Sequence, residues 1–151
     1  MAFSIFLHVL GVVVWIGGMF FAHQILRPVA ADLLAPPIRL PLWVGVFKRF
    51  FPVVWVAVVL ILLSGLYMVM LLGGFKAVSP GVHAMFGIGL VMTVVFCFVY
   101  FVPYGKLSRA VSVQDWEQAG AALATMRKLI GFNLHLGLLN IAVATLSRIF
   151  V

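Results

Sequence analysis

Charge is what this sequence has least of. Charged residues make up 9% of its 151 residues and hydrophobic ones 66%, and the mean hydropathy is +1.27. A water-soluble domain is nearer half apolar and a quarter charged, so this chain cannot cover its own surface in water and reads as an integral membrane protein. Acidic groups are scarcest of all. Asp32, Asp115 and Glu117 are the only ones, and none lies inside a long apolar run, which excludes a proton relay built on intramembrane carboxylates. A single cysteine, Cys97, rules out an intramolecular disulfide and any CxxC redox or zinc motif. Within its apolar run it reads as a small buried hydrophobe. There is no Ser-His-Asp set, no phosphate-binding glycine loop in a suitable context, and no convincing internal repeat. The first apolar run lacks a charged leader and a small-residue cleavage site, so it is expected to be a retained span rather than a signal peptide.

Four apolar runs are long enough to cross a bilayer, which takes about 20 residues. They cover about 2–26, 51–72, 81–102 and 129–150. The first ends at Arg27-Pro28, the second at Gly73-Gly74, and the third begins after Ser79-Pro80-Gly81 and stops before Pro103. The formal charge is +7, but the cations sit between the runs, so anionic headgroups and topology account for them better than nucleic acid does. Arg27, Arg39, Lys48 and Arg49 fall in the first loop and Lys106, Arg109, Arg127 and Lys128 in the third, against Lys76 alone in the second. The positive-inside rule then places both basic loops in the cytoplasm and both termini outside, as in a bacterial inner membrane protein. The fold class expected is all-α, a single transmembrane domain built as a four-helix up-down-up-down bundle.

The loops carry signals of their own. "APPIRLPLW" holds three prolines and is expected to break any helix, so residues 27–50 should form an interfacial segment anchored by Trp43. Ser112 followed three residues later by Asp115 is close to a capping box. A cytoplasmic helix is therefore expected over about 114–128, running straight into the fourth span or bending near Gly131.

What remains inside the membrane and can do chemistry is histidine. His8 and His23 lie on the first span, His83 on the third and His135 on the fourth, and intramembrane ionisable residues are functional candidates by default. By depth they form two pairs, His8 with His83 near the outer face and His23 with His135 near the inner one. His8 and His23 are about 22 Å apart along a helix axis and roughly 60° apart around it, so both can face the bundle interior.

That arrangement suits two b-type haems, each held by imidazoles from two helices. Gly11, Gly18, Gly87 and Gly131 lie near the histidines and serve either to admit a macrocycle or to let helices pack closely. Trp15 falls midway between His8 and His23. Arg27 and Arg127, with Lys48, Arg49 and Lys128, are cations for the propionates of an inner haem, and Lys76 or Arg148 for an outer one. Copper is the alternative, since histidine with methionine also suits that metal and Met19, Met68, Met70, Met85 and Met92 are at hand. The methionines are scattered, though, and methionine is ordinary core filler.

The stretch "LHVLGVVVWIGGMFFAH" resembles the first span of the copper-resistance protein D (CopD) family, and "RFFPVVWVAVVLILLSGLY" and "VHAMFGIGLVM" extend the likeness more loosely. That resemblance implies kinship with two-haem membrane cytochromes of the b type, and its name implies copper uptake or tolerance. The chain is also similar in size and layout to the HemJ-type protoporphyrinogen oxidase, with His8 matching that family's first-span histidine. It departs where that family carries Lys two residues after the third-span histidine, because here His83 is followed by Ala84 and Met85. The function expected is electron transfer by a di-haem membrane protein, surrounded by lipid, with quinone or a soluble redox carrier as partner. The alternatives are copper transport or resistance and a porphyrinogen oxidase.

Overall fold

The computed structural model describes residues 1–147. Helix α1 (Ala2–Phe20) continues through a π-helical turn (Phe21–Leu26) into α2 (Arg27–Leu33). The rest comprises α3 (Pro36–Leu71), α4 (Pro80–Phe101), α5 (Pro103–Ser112) and α6 (Trp116–Leu146). Among the described residues there are no strands, and four helical segments are long and apolar enough to cross a membrane. This is an all-α integral membrane protein. The short turns at 34–35, 72–79 and 113–115 are consistent with the expected up-down-up-down order. Arg148, and the end of the fourth span, lie outside the described residues.

The expected irregular segment before the second span is instead helix. Pro36 and Pro37 occupy the first turn of α3, where the backbone N–H groups have no helical acceptor in any case, and Ala35 before them is extended. Pro41 and Pro52 are then carried inside the helix. Each leaves one carbonyl of the preceding turn without its helical donor, a defect that packed membrane helices tolerate. Trp43 therefore stands on a helix rather than on a loose strap. It is 4% exposed, in the core. At its other end α3 stops because Gly73 and Gly74 take positive φ, with Gly74 N–H returning to Val69 O at 2.9 Å.

The third basic segment also differs from expectation. Its first part is α5, which buries Pro103, Leu107 and Ala110 and exposes Lys106 and Arg109. Ser112 does not cap the next helix; its hydroxyl donates back to Arg109 O. Asp115 is the cap of α6, its Oδ1 accepting from Gln118 N at 2.9 Å, and Gln114 makes the turn at φ 58°. From there α6 runs unbroken through Gly131.

Helix α1 packs chiefly on α3, and α6 on α4 and α5. The face that α1 buries is Ser4, Gly11, Trp15, Ile16 and Met19, a helical stripe. The core is strongly aromatic. Trp43, Phe47 and Phe51 recur every fourth residue on α3 and stack at 5.2 and 5.0 Å between ring centres. Phe96 of α4 sets its edge against Phe51 and Trp15 at 5.7 and 6.1 Å, the offset geometry that aromatic quadrupoles favour.

Candidate metal pathway and basic cavity

Three of the four histidines are held in the same way. His8 Nδ1 lies 3.0 Å from Ile61 O and 3.1 Å from Ser64 Oγ on α3. His83 Nδ1 lies 3.1 Å from Ser79 O, and His135 Nδ1 lies 2.6 Å from Gly131 O. A carbonyl can only accept, so each Nδ1 carries the proton and donates it. In the neutral imidazole each Nε2 then keeps its lone pair, the state of a metal-ligating imidazole whose second nitrogen is anchored. Gly65 makes room for His8, since a Cβ there would come within 3.2 Å of Cε1.

The inner pair meets Gly131 in different ways: His23 packs against it from α1's side, while His135, exposed, bonds its carbonyl from one turn further along α6. A Cβ on Gly131 would sit 2.7 Å from His23 Nε2, and Gly131 O is the acceptor for His135. His23 belongs to the π-helical turn, where one extra residue per turn changes the direction of the side chains that follow. Such turns occur frequently at functional sites. His23 Nδ1 is buried without a hydrogen-bond partner among the described residues.

The outer pair is placed differently. His8 turns to α3, while His83 is exposed, with its ring 5.9 Å from that of Phe75. The small residues beside His8 are already filled. A Cβ on Gly11 would meet Ile61 Cγ1 at 2.8 Å, and one on Gly18 would run into the Phe50 ring. Gly11 and Gly18 therefore admit α3 rather than a macrocycle, and a haem against this side of α1 does not fit the packing. Gly87 faces open space. Trp15 is core, 4% exposed.

Midway along the bundle lies a feature the histidine pattern did not reveal. Asn133 is 3% exposed in the heart of α6. Its Nδ2 donates to Met92 O at 3.3 Å and approaches Met19 Sδ at 3.9 Å, while its Oδ1 has no partner among the described residues. Trp15, Met19 and Asn133 share a cavity of about 20 Å³, enough for one water-sized guest. The signal was in the sequence, a primary amide inside an apolar span.

A larger cavity, about 480 Å³, opens at the basic end of the bundle. Arg27, Arg39 and Arg127 line it together with Asp32 and His23, and Trp43 and Trp116 help to wall it. Among the described residues no three His, Cys, Asp or Glu side chains gather as a metal cluster.

The family model described as copper resistance protein D matches residues 44–147. The chain belongs to the copper resistance protein D family. Within this CopD chain the matched stretch takes in most of α3 and everything from α4 to the end of α6, with His83, His135, Met92 and Asn133. The first span, where the CopD-like pattern of His8, Trp15 and Gly17-Gly18 stands, precedes it. No curated protein and no solved structure matches this CopD chain.

Proposed function

We propose that this CopD protein passes copper through the bacterial cytoplasmic membrane, with both termini on the periplasmic side. The observation that carries this reading is the mid-bundle cavity lined by Trp15, Met19 and Asn133, where the Asn133 Nδ2 lies 3.9 Å from the Met19 thioether and its Oδ1 has no partner among the described residues. Thioethers are soft donors that favour monovalent copper over hard cations. A buried amide oxygen left without a partner is costly in a membrane core, and a cation in the cavity would satisfy it. Histidines stand nearer the two ends of the helices that line this cavity or pack beside it, and those with anchored Nδ1 would offer Nε2 as the ligand atom. Donors spread along an axis, rather than gathered in one cluster, suit an ion that must leave as readily as it enters.

The test is competition for monovalent copper between the purified protein in detergent and a chromophoric chelator. Wild-type protein should withdraw copper from the chelator, and Met19→Leu and Asn133→Leu should each weaken this about tenfold, the cost of roughly 1.4 kcal/mol of ligand energy. Equal affinity in all three proteins would exclude the cavity as a copper site.

Haem is the second reading, confined to the inner end, where His23 lies against Gly131 and His135 is one turn beyond it on α6. There the two imidazoles would supply axial ligands for electron exchange with quinol or a soluble carrier. A Soret band in protein expressed with haem supplied, lost in His23→Ala, would favour it over copper.

A further inference from the structure

The 480 Å³ cavity at the basic end is much larger than a metal ion needs and has the wrong lining for one. Its charged wall is three guanidinium groups and one carboxylate, contributed by separate elements: Arg27 and Asp32 by α2, Arg39 by α3 and Arg127 by α6. Three cationic side chains against one carboxylate favour an anion as the resident ligand. Like charges brought together at the low-dielectric edge of a bilayer repel one another unless an anion lies between them. Arg39 commits one nitrogen to Ala31 O, at 3.4 Å, which leaves most of its five donors free for a ligand. Guanidinium forks match the oxygens of phosphate, two by two.

We infer that this cavity binds a phosphate ester, its phosphate between Arg27, Arg39 and Arg127 and its organic body against Leu40, Trp43 and Leu123. Volume and lining decide between phosphate and ester. A pocket of this size accommodates a small organic ligand, and inorganic phosphate would leave the apolar wall uncovered. The source is either a membrane phospholipid or a soluble phosphorylated compound, since the cavity lies between apolar helices and basic segments. His23 lines this cavity too, but the inference rests on the three arginines, none of which the copper reading uses.

The experiment is a thermal-shift titration of the full chain in a neutral detergent, with short-chain phosphatidylglycerol in one arm and glycerol phosphate in the other. Wild-type protein should be stabilised in at least one arm. A response to the lipid alone assigns a membrane source, and a response to glycerol phosphate assigns a soluble one. Arg27→Gln/Arg127→Gln should weaken the response about tenfold. Arg39→Gln, on a different helix, should do the same if the double variant fails to fold. Lys128→Gln, which removes an equal charge outside the cavity, should leave it unchanged. No shift in either arm, or a shift that survives loss of the arginines, would overturn the inference. So would a Soret band that disappears with them, because porphyrin carboxylates would then be the anion.

Discussion

His23 and Gly131 share one space: a Cβ on residue 131 would lie 2.7 Å from His23 Nε2. The π-helical turn that holds His23 and the unbroken α6 that holds Gly131 can therefore approach only because position 131 has no side chain.

A double-mutant cycle tests this directly. Gly131→Ala should destabilise the bundle by about 1–3 kcal/mol, the usual cost of overpacking. In a His23→Ala background the same change should cost almost nothing, because the colliding ring is gone. Unfolding in mixed micelles measures both, and strictly additive effects would refute the contact.

Neighbouring glycines on α1 should behave in opposite ways. A Cβ on Gly18 would enter the Phe50 ring, whereas one on Gly17 meets nothing within 4 Å. Gly18→Ala should therefore lower stability by about 1–3 kcal/mol. Gly17→Ala should be neutral or raise it by up to about 1 kcal/mol through helix propensity. The same unfolding assay reads both, and a similar loss in the two would mean that α3 does not lie against Gly18.

Asn133 should separate stability from function. Asn133→Leu removes a hydrogen bond to Met92 O, worth about 0.6 kcal/mol within a membrane bundle. It also removes the cost of the unpartnered Oδ1. Stability should thus stay within about 1 kcal/mol of wild type, while copper binding falls. A variant that unfolds outright would make Asn133 a structural residue only.

Much of the architecture was legible because its causes are local. Composition marks the spans, the Gly73-Gly74 pair ends α3, and Pro80 opens α4 at the position where a missing N–H costs least. The misreadings have equally specific causes. Three prolines in "APPIRLPLW" suggested a broken segment, yet two of them fall in the first turn of α3 and the third is accommodated by the helix. Ser112 and Asp115 both resemble caps, and only tertiary placement of α5 decides that Asp115 starts α6. The π-helical turn at 21–26 leaves no mark in the sequence, so the aim of His23 could not be read from an ideal helical wheel.

The candidate site was legible in its residue types more than in its pairings. Depth along the helices grouped His23 with His135; His23 lies against Gly131, while His135 is exposed and bonds the Gly131 carbonyl along its own helix. Depth could not say that His8 would turn to Ile61 and Ser64, because the rotation of a span about its axis is set by packing. Gly11 and Gly18 could equally have served a cofactor or a neighbouring helix, and the bulk of Ile61 and Phe50 on α3 decided it. Asn133 was the omission: attention to ionisable groups passed over a neutral amide whose unmet oxygen is the more telling feature.

The most direct test of copper passage is flux. Proteoliposomes holding a copper-responsive chelator dye inside would be exposed to monovalent copper outside, and dye response followed with time. Wild-type protein should admit copper well above the rate of protein-free vesicles, and Met19→Leu should reduce the excess about tenfold while leaving the protein folded. Entry at the rate of empty vesicles, or a wild-type rate undiminished in Met19→Leu, would contradict the account.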